Sequence, residues 1–119
     1  MENSSTMIVL TKDQFTEIVE KLRSLVYNYN SKITASGFYL KPTHLVYRKP
    51  KKYIYIGRYW YFLVRDKGKL RWIYAGKRKP QPWLPDPPVI PNGVIVETNQ
   101  GYLVDETLIS SLLESYKIP

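Results

Sequence analysis

Residues 52–77 read KYIYIGRYWYFLVRDKGKLRWIYAGK, a run that few folds can use. Tyr, Trp, Phe, Ile and Val suit a pleated, half-buried surface, and here they are interleaved with Arg and Lys and broken by single glycines rather than spaced at helical intervals. The stretch predicts a three-stranded antiparallel meander, roughly Lys52 to Ile56, Tyr59 to Arg65 and Lys69 to Ala75, turning at Gly57 and at Asp66-Lys67-Gly68. A three-residue loop with Gly68 left-handed pairs Arg65 with Lys69. One face then carries Tyr53, Tyr55, Tyr59, Tyr61, Arg65, Lys69 and Arg71, with Leu63 and Ile73 as apolar exceptions. The other carries Ile54, Ile56, Trp60, Phe62, Val64, Leu70, Trp72 and Tyr74. This assignment takes Ile56-Gly57-Arg58 as the first loop; a two-residue Gly57-Arg58 loop exchanges the two Ile for two Tyr.

The meander needs a partner, and the preceding residues supply one. Thr11 and Gln14 fit a capping box, and Phe15, Ile18, Val19, Leu22, Leu25, Val26 and Tyr29 then form one apolar stripe at helical spacing. The helix is expected over 11–30, ending at the Asn-rich Asn28 to Asn30. Gly37 to Lys49 reads as an edge strand or two short strands, because Pro42 interrupts it. After the meander, six prolines in the sixteen residues Gly76 to Pro91 forbid regular structure. Trp83, Leu84, Val89 and Ile90 predict that this strap lies on the domain. A hairpin is expected from Val94-Ile95-Val96 and Tyr102-Leu103-Val104 around Asn99-Gln100-Gly101. A helix capped by Asp105 follows, with Leu108, Ile109, Leu112, Leu113 and Tyr116 as its buried stripe. The expectation is one α+β domain spanning 1–119: helix 11–30, basic antiparallel sheet 37–79 with its Trp60, Phe62, Trp72 face on that helix, proline-rich strap 80–92, hairpin and C-terminal helix 93–119. At 119 residues and 44% apolar composition the chain can build a core, and two independent domains are not expected.

The formal charge of +8 is unevenly placed. From Lys41 to Lys79 there are thirteen cations against the single anion Asp66, a net +12; the rest carries five cations and nine carboxylates, a net −4. Such polarisation repels itself unless a polyanion neutralises it. The absence of Cys removes disulfides, thiol nucleophiles and Cys-based zinc sites, and the lone His44 leaves no His pair for a metal or a two-histidine nickase. Pro85-Asp86 opens like a nuclease motif, but Glu97-Thr98-Asn99 lacks the Lys such a motif requires. No Gly-rich phosphate loop occurs, and no acid or base cluster singles out one of the eleven Tyr as a nucleophile. No catalytic residue, metal or cofactor is therefore expected. No apolar run approaches the ~20 residues of a membrane span, and the N-terminus lacks a signal-peptide pattern, which predicts a cytoplasmic protein.

Cations with interleaved tyrosines are the chemistry of phosphate contact and base stacking. The predicted nucleic-acid-binding residues are Tyr53, Tyr55, Arg58, Tyr61, Arg65, Lys67, Lys69 and Arg71, flanked by Arg48, Lys49, Lys51 and Lys52 on one side and Lys77, Arg78 and Lys79 on the other. Duplex DNA is the first expectation. RNA or single strands, and an acidic protein surface, are the alternatives, since Tyr, Trp and Arg also serve as protein hot spots. An uncovered edge near Leu45 to Tyr47 could pair two copies into a homodimer.

On its Tyr-Ile-Tyr, Arg-Asp-Lys-Gly-Lys and Arg-Trp-Ile-Tyr-Ala-Gly-Lys phrases, residues 52–79 resemble the three-stranded DNA-binding sheets of the AP2 domain and of the arm-binding domain of tyrosine recombinases. The resemblance implies a sheet laid in the major groove with a helix behind it. Here the long helix precedes the sheet, whereas in those families it follows. The richness in Tyr, Lys and Ile without Cys is similar to that of small proteins of hyperthermophilic archaea and their viruses, in which case the compartment is the host cytoplasm.

Overall fold

A computed structural model describes residues 6–115, with side chains in the last helix described through Leu112. The elements in order are β1 (Met7–Leu10), α1 (Lys12–Ile33), a 3-10 turn (Thr34–Ser36), β2 (Phe38–Arg48), β3 (Lys51–Asp66), β4 (Lys69–Gly76), β5 (Gly93–Thr98), β6 (Gly101–Asp105) and α2 (Glu106–Ser115). All six strands join one antiparallel sheet in the order β1-β6-β5-β3-β2, with β4 also pairing β3. The fold is α+β, with an N-terminal helix packed on the sheet and a short C-terminal helix.

Helix α1 begins where the capping box places it. Gln14 N–H donates to Thr11 Oγ1 at 3.1 Å, and Thr11 N–H donates to Gln14 Oε1 at 2.9 Å. Losing a capping hydroxyl costs about 1 kcal/mol. Thr11→Ala should therefore lower the free energy of unfolding by about that amount, read as a lower urea midpoint at unchanged slope, while Thr11→Ser leaves it nearly unchanged. The buried stripe is Leu22, Val26, Tyr29, Asn30 and Ile33, with Phe15, Ile18 and Leu25 partly buried against the core.

The helix does not stop at Asn28–Asn30 but runs to Ile33. Asn30 is buried, and its amide pairs with both backbone groups of Leu40: Nδ2 donates to Leu40 O and Leu40 N–H donates to Oδ1, each at 2.9 Å. Those groups point away from β3, so Asn30 occupies the place of a neighbouring strand. A side chain with one donor and one acceptor satisfies an edge residue without ending the helix.

Gly57 is not a turn. Strand β3 runs unbroken for 16 residues. Its first half pairs with β5 (Lys52↔Glu97 to Ile56↔Gly93) and its second with β4 (Trp60↔Gly76 to Asp66↔Lys69). Gly57 sits where the neighbour changes, opposite the register irregularity at Pro42 on β2. A Cβ there would lie 2.6 Å from Asn92 Oδ1, so any other residue requires the Asn92 side chain to move. The three-stranded meander therefore exists, but it consists of β2, β3 and β4. Pro42 is tolerated because β2 is an edge strand with a shift between Lys41 and Thr43.

The second turn also differs from expectation. Asp66 pairs with Lys69, leaving the two-residue loop Lys67-Gly68, whose φ values of 51° and 79° are both positive, as a primed hairpin turn requires. The register is thus shifted by one residue, and every β4 side chain changes face. Leu70, Trp72 and Tyr74 join Arg65, Leu63 and Tyr61, while Lys69, Arg71 and Ile73 join Asp66, Val64 and Phe62.

The core lies on one side of the sheet. Leu10, Ile54, Ile56, Trp60, Ile95 and Val104 meet Leu22 and Val26 of α1 and Leu108 and Leu112 of α2. The proline strap closes the same side. Leu84 and Ile90 are buried, and Tyr29 Oη donates to Pro85 O at 2.6 Å. Trp83 and Val89 stay mostly exposed, although the Trp83 ring approaches Phe38. The β5–β6 hairpin matches expectation, and Asp105 Oδ1 accepts from Thr107 N–H at 2.7 Å at the start of α2. Leu108 and Leu112 are buried and Ile109 partly so; the Leu113 side chain and Tyr116 lie outside the described residues.

Candidate nucleic-acid interface

With α1, α2 and the strap on one side, the opposite side of the sheet has no covering element among the described residues. Strand alternation puts Tyr53, Tyr55, Tyr59, Tyr61, Leu63 and Arg65 of β3 there, opposite in sense to the buried Ile54, Ile56 and Trp60. The slipped register adds Trp72 and Tyr74 from β4. Edge strand β2 contributes Tyr39, Lys41 and His44, the last three residues placed by their contacts: Tyr39 meets Trp72 at 5.1 Å between ring centroids, and His44 stacks on Tyr59 at 5.2 Å and on Tyr74 at 6.2 Å.

These rings form one continuous patch. Tyr61 contacts Tyr74 at 5.4 Å and Trp72 edge-on at 6.5 Å, and its hydroxyl lies 3.4 Å from His44 Nδ1. Burial raises the pKa of the Tyr59 and Tyr61 hydroxyls, and the neighbouring Tyr74 adds to it; Tyr55 and Tyr61 raise that of Tyr59 further. Both are neutral donors across the physiological range. Tyr59 is buried within the patch, whereas Trp72 and Tyr74 remain 47% and 50% exposed.

Cations are laid over the rings. Lys41 Nζ is 4.6 Å from the Tyr61 centroid and 5.9 Å from that of Trp72; Lys77 Nζ is 5.3 Å from Tyr59; the Arg48 guanidinium is 5.9 Å from Tyr53. Such contacts stabilise each ammonium only modestly where water reaches it, so the charges stay available to an anion. An open groove of about 870 Å³ runs from Arg23 and Tyr27 on α1 around the β2 edge to Lys41, His44, Tyr61 and Trp72.

The sequence-predicted residues do not all gather here. Tyr53, Tyr55, Tyr61, Arg65, Arg48, Lys51 and Lys77 lie on or at the rim of the ring-bearing face, and Lys67 is at the hairpin tip. Lys52, Arg58, Lys69 and Arg71 alternate to the helix side. Two of them are engaged with acids, Lys52 with Glu97 at 3.4 Å and Arg71 with Asp66 at 3.3 Å. Lys79 is tied to the strap through Leu84 O and Asp86, and Arg78 lines a hollow beside Arg58 and Asp86. Lys49 is in the β2–β3 turn. The two end clusters, Arg48 to Lys52 and Arg65 to Arg71, are separated by most of β3, about 45 Å of strand.

The three-residue loop expected from sequence puts Trp72 and Tyr74 on the core face, one position out of register with the structure, and Tyr39, Lys41 and His44 belong to β2, outside residues 52–79. Asp66-Lys67-Gly68-Lys69 carries none of the Asn-Gly or Asp-Gly pairs that mark a two-residue loop, so no local signal in the sequence marks the outward placement of Trp72 and Tyr74.

No protein-family model, curated protein or solved structure matches this chain. The geometry of this face therefore carries the functional reading. No helix among the described residues is long and apolar enough to cross a membrane.

Proposed function

We propose that the protein binds nucleic acid, without catalysis, through the helix-free face of its sheet. The observation that carries this is the coincidence, on one uncovered face, of a tyrosine ladder on β3 with cations that lie over its rings and at both of its ends. The placement of acids supports it. Among the described residues Asp13, Glu17 and Glu20 are on α1, Asp66 is at the hairpin tip on the helix side and paired with Arg71, Glu97 is on the helix side, Asp86 is in the strap, Asp105 caps α2 and Glu106 opens it. A phosphate chain approaching the ring-bearing face meets little repulsion. The raised pKa values of Tyr59 and Tyr61 also favour binding over nucleophilic chemistry, because a phenol held neutral is a poor nucleophile.

The test is fluorescence anisotropy with labelled oligonucleotides, single-stranded and duplex, over a salt series. Binding of at least one form is expected, with log K falling linearly in log salt by about 0.7 to 0.9 per phosphate contact. Changing Arg48, Lys51, Arg65 and Lys67 together to Glu should weaken it by about 100-fold or more at ~0.15 M salt. Changing Lys69 and Arg71, on the other side of the hairpin, should cost much less. Negligible binding of both forms by the unaltered protein sinks the proposal and leaves an acidic protein surface as the partner to seek.

A further inference from the structure

Resting on that reading, we infer that the site takes a single strand, DNA or RNA, whose bases stack on the exposed rings of Trp72, Tyr74 and Tyr39, rather than an intact duplex. Direct readout of duplex base edges calls for Arg, Lys, Asn or Gln aimed from the middle of the docking surface. The middle of this face has none on β3: from Tyr53 to Leu63 the outward positions are Tyr53, Tyr55, Gly57, Tyr59, Tyr61 and Leu63. The register moves Lys69 and Arg71, which the sequence places on the tyrosine-bearing face, to the opposite side. What the middle offers is ring faces, with the Lys41 and Lys77 ammoniums laid over them rather than aimed outward from β3, and a duplex keeps the faces of its bases covered by their neighbours. An unpaired base does not.

The free rings are arranged for such a ligand. Trp72 and Tyr74 are half exposed and Tyr39 is 36% exposed, although Trp72 leans on Tyr39 and Tyr61 and is held in place. A platform that is both fixed and uncovered loses little side-chain freedom when a base settles on it. Lys41 stands between Tyr61 and Trp72, with its ammonium beside the stack rather than at the rim. A phosphate linking two stacked nucleotides can reach it. Successive outward residues on a strand recur about every 6.6 Å, so the ladder from Tyr53 to Arg65 forms a track along which an extended backbone can run between the Arg48 and Arg65 ends. The charge of the ligand complements the cations at the two ends of this track and the Lys41 and Lys77 ammoniums over its rings.

The experiment compares fluorescein-labelled 15-nucleotide dT, 15-nucleotide rU and a 15-base-pair duplex at ~0.1 M salt, with the full chain and its Trp72→Ala and Trp72→Phe variants. At least one single strand should bind tenfold or more tighter than the duplex and quench tryptophan fluorescence. Whichever of dT and rU is preferred identifies the sugar. Trp72→Ala should weaken the single strand by about 5- to 150-fold and remove most of the quenching, and Trp72→Phe should restore most of the affinity. Trp72 is half exposed, and unchanged circular dichroism and melting separate the loss from misfolding. Tighter binding of the duplex, or single-strand binding indifferent to Trp72→Ala, overturns the inference while leaving nucleic-acid binding intact. Binding of neither form overturns both.

Discussion

Changing Asn30 to Leu lowers the free energy of unfolding by about 2–4 kcal/mol, read as a shifted urea midpoint at unchanged slope. The apolar replacement is the right shape for a helix interior, so the loss comes from Leu40. Its N–H and C=O each lose a 2.9 Å partner in a buried setting. An orphaned buried backbone group costs about 1–3 kcal/mol, more than one extra apolar contact returns. Asn30→Asp is expected to be as damaging near neutrality, because a carboxylate then faces the Leu40 carbonyl without a donor between them. That variant should gain stability as pH falls. Burial beside a carbonyl raises the folded-state pKa of the new acid above its unfolded value, so the penalty holds at neutral pH and fades as the acid protonates and can donate. A change below about 0.5 kcal/mol for Asn30→Leu would show that Leu40 does not depend on this amide.

Trp60→Ala should cost about 3–5 kcal/mol, the range for removing a fully buried large aromatic. Trp60 is 1% exposed, packs edge-on against Tyr29 at 5.9 Å, and sits in the core shared by the sheet, α1 and the strap. Trp60→Phe keeps most of the contact area and should lose less than half as much. Trp72→Ala, by contrast, should stay within about 1 kcal/mol of the unaltered protein, since half of that ring is already in water. The two tryptophans are twelve residues apart in one aromatic stretch and point to opposite sides of the sheet. Comparable losses for the two variants would contradict that placement.

Much of the fold follows from local patterns. The Thr11/Gln14 box, the α1 stripe, the β5–β6 hairpin and the Asp105 cap are each decided by residues within a turn or two of one another. The strap was legible because prolines forbid regular structure while Leu84 and Ile90 require burial. The misread positions have two local solutions of similar cost. A glycine between strand residues serves equally as a hairpin turn or as a point of close approach, and only Asn92 and the change of partner from β5 to β4 distinguish them at Gly57. An Asn late in a helix serves as a stop or as a buried amide, and only the edge of β2 chooses between them at Asn30.

The candidate interface depends on the same ambiguity. An Ile56-Gly57-Arg58 loop puts Tyr53, Tyr55, Tyr59 and Tyr61 away from Ile54, Ile56 and Trp60; the protein has no such turn, and the same sides follow because these residues share one unbroken strand and one period. That period could not put Trp72 and Tyr74 beside them. In LRWIYA the alternating set Leu70, Trp72 and Tyr74 is the more apolar one, which argues for burial, yet the loop at Lys67-Gly68 turns it outward.

By itself the sequence determined the start of α1 and its stripe, the β5–β6 hairpin, the Asp105 cap and an excess of positive charge confined to 41–79, because propensity, periodicity and ionisation are properties of a residue and its near neighbours. The tertiary structure decided which side of the sheet the helices and strap would cover, and therefore which rings and cations were left outside together. That choice depends on pairings between residues far apart in the chain, where a shift of one position moves every side chain of a strand to the opposite face.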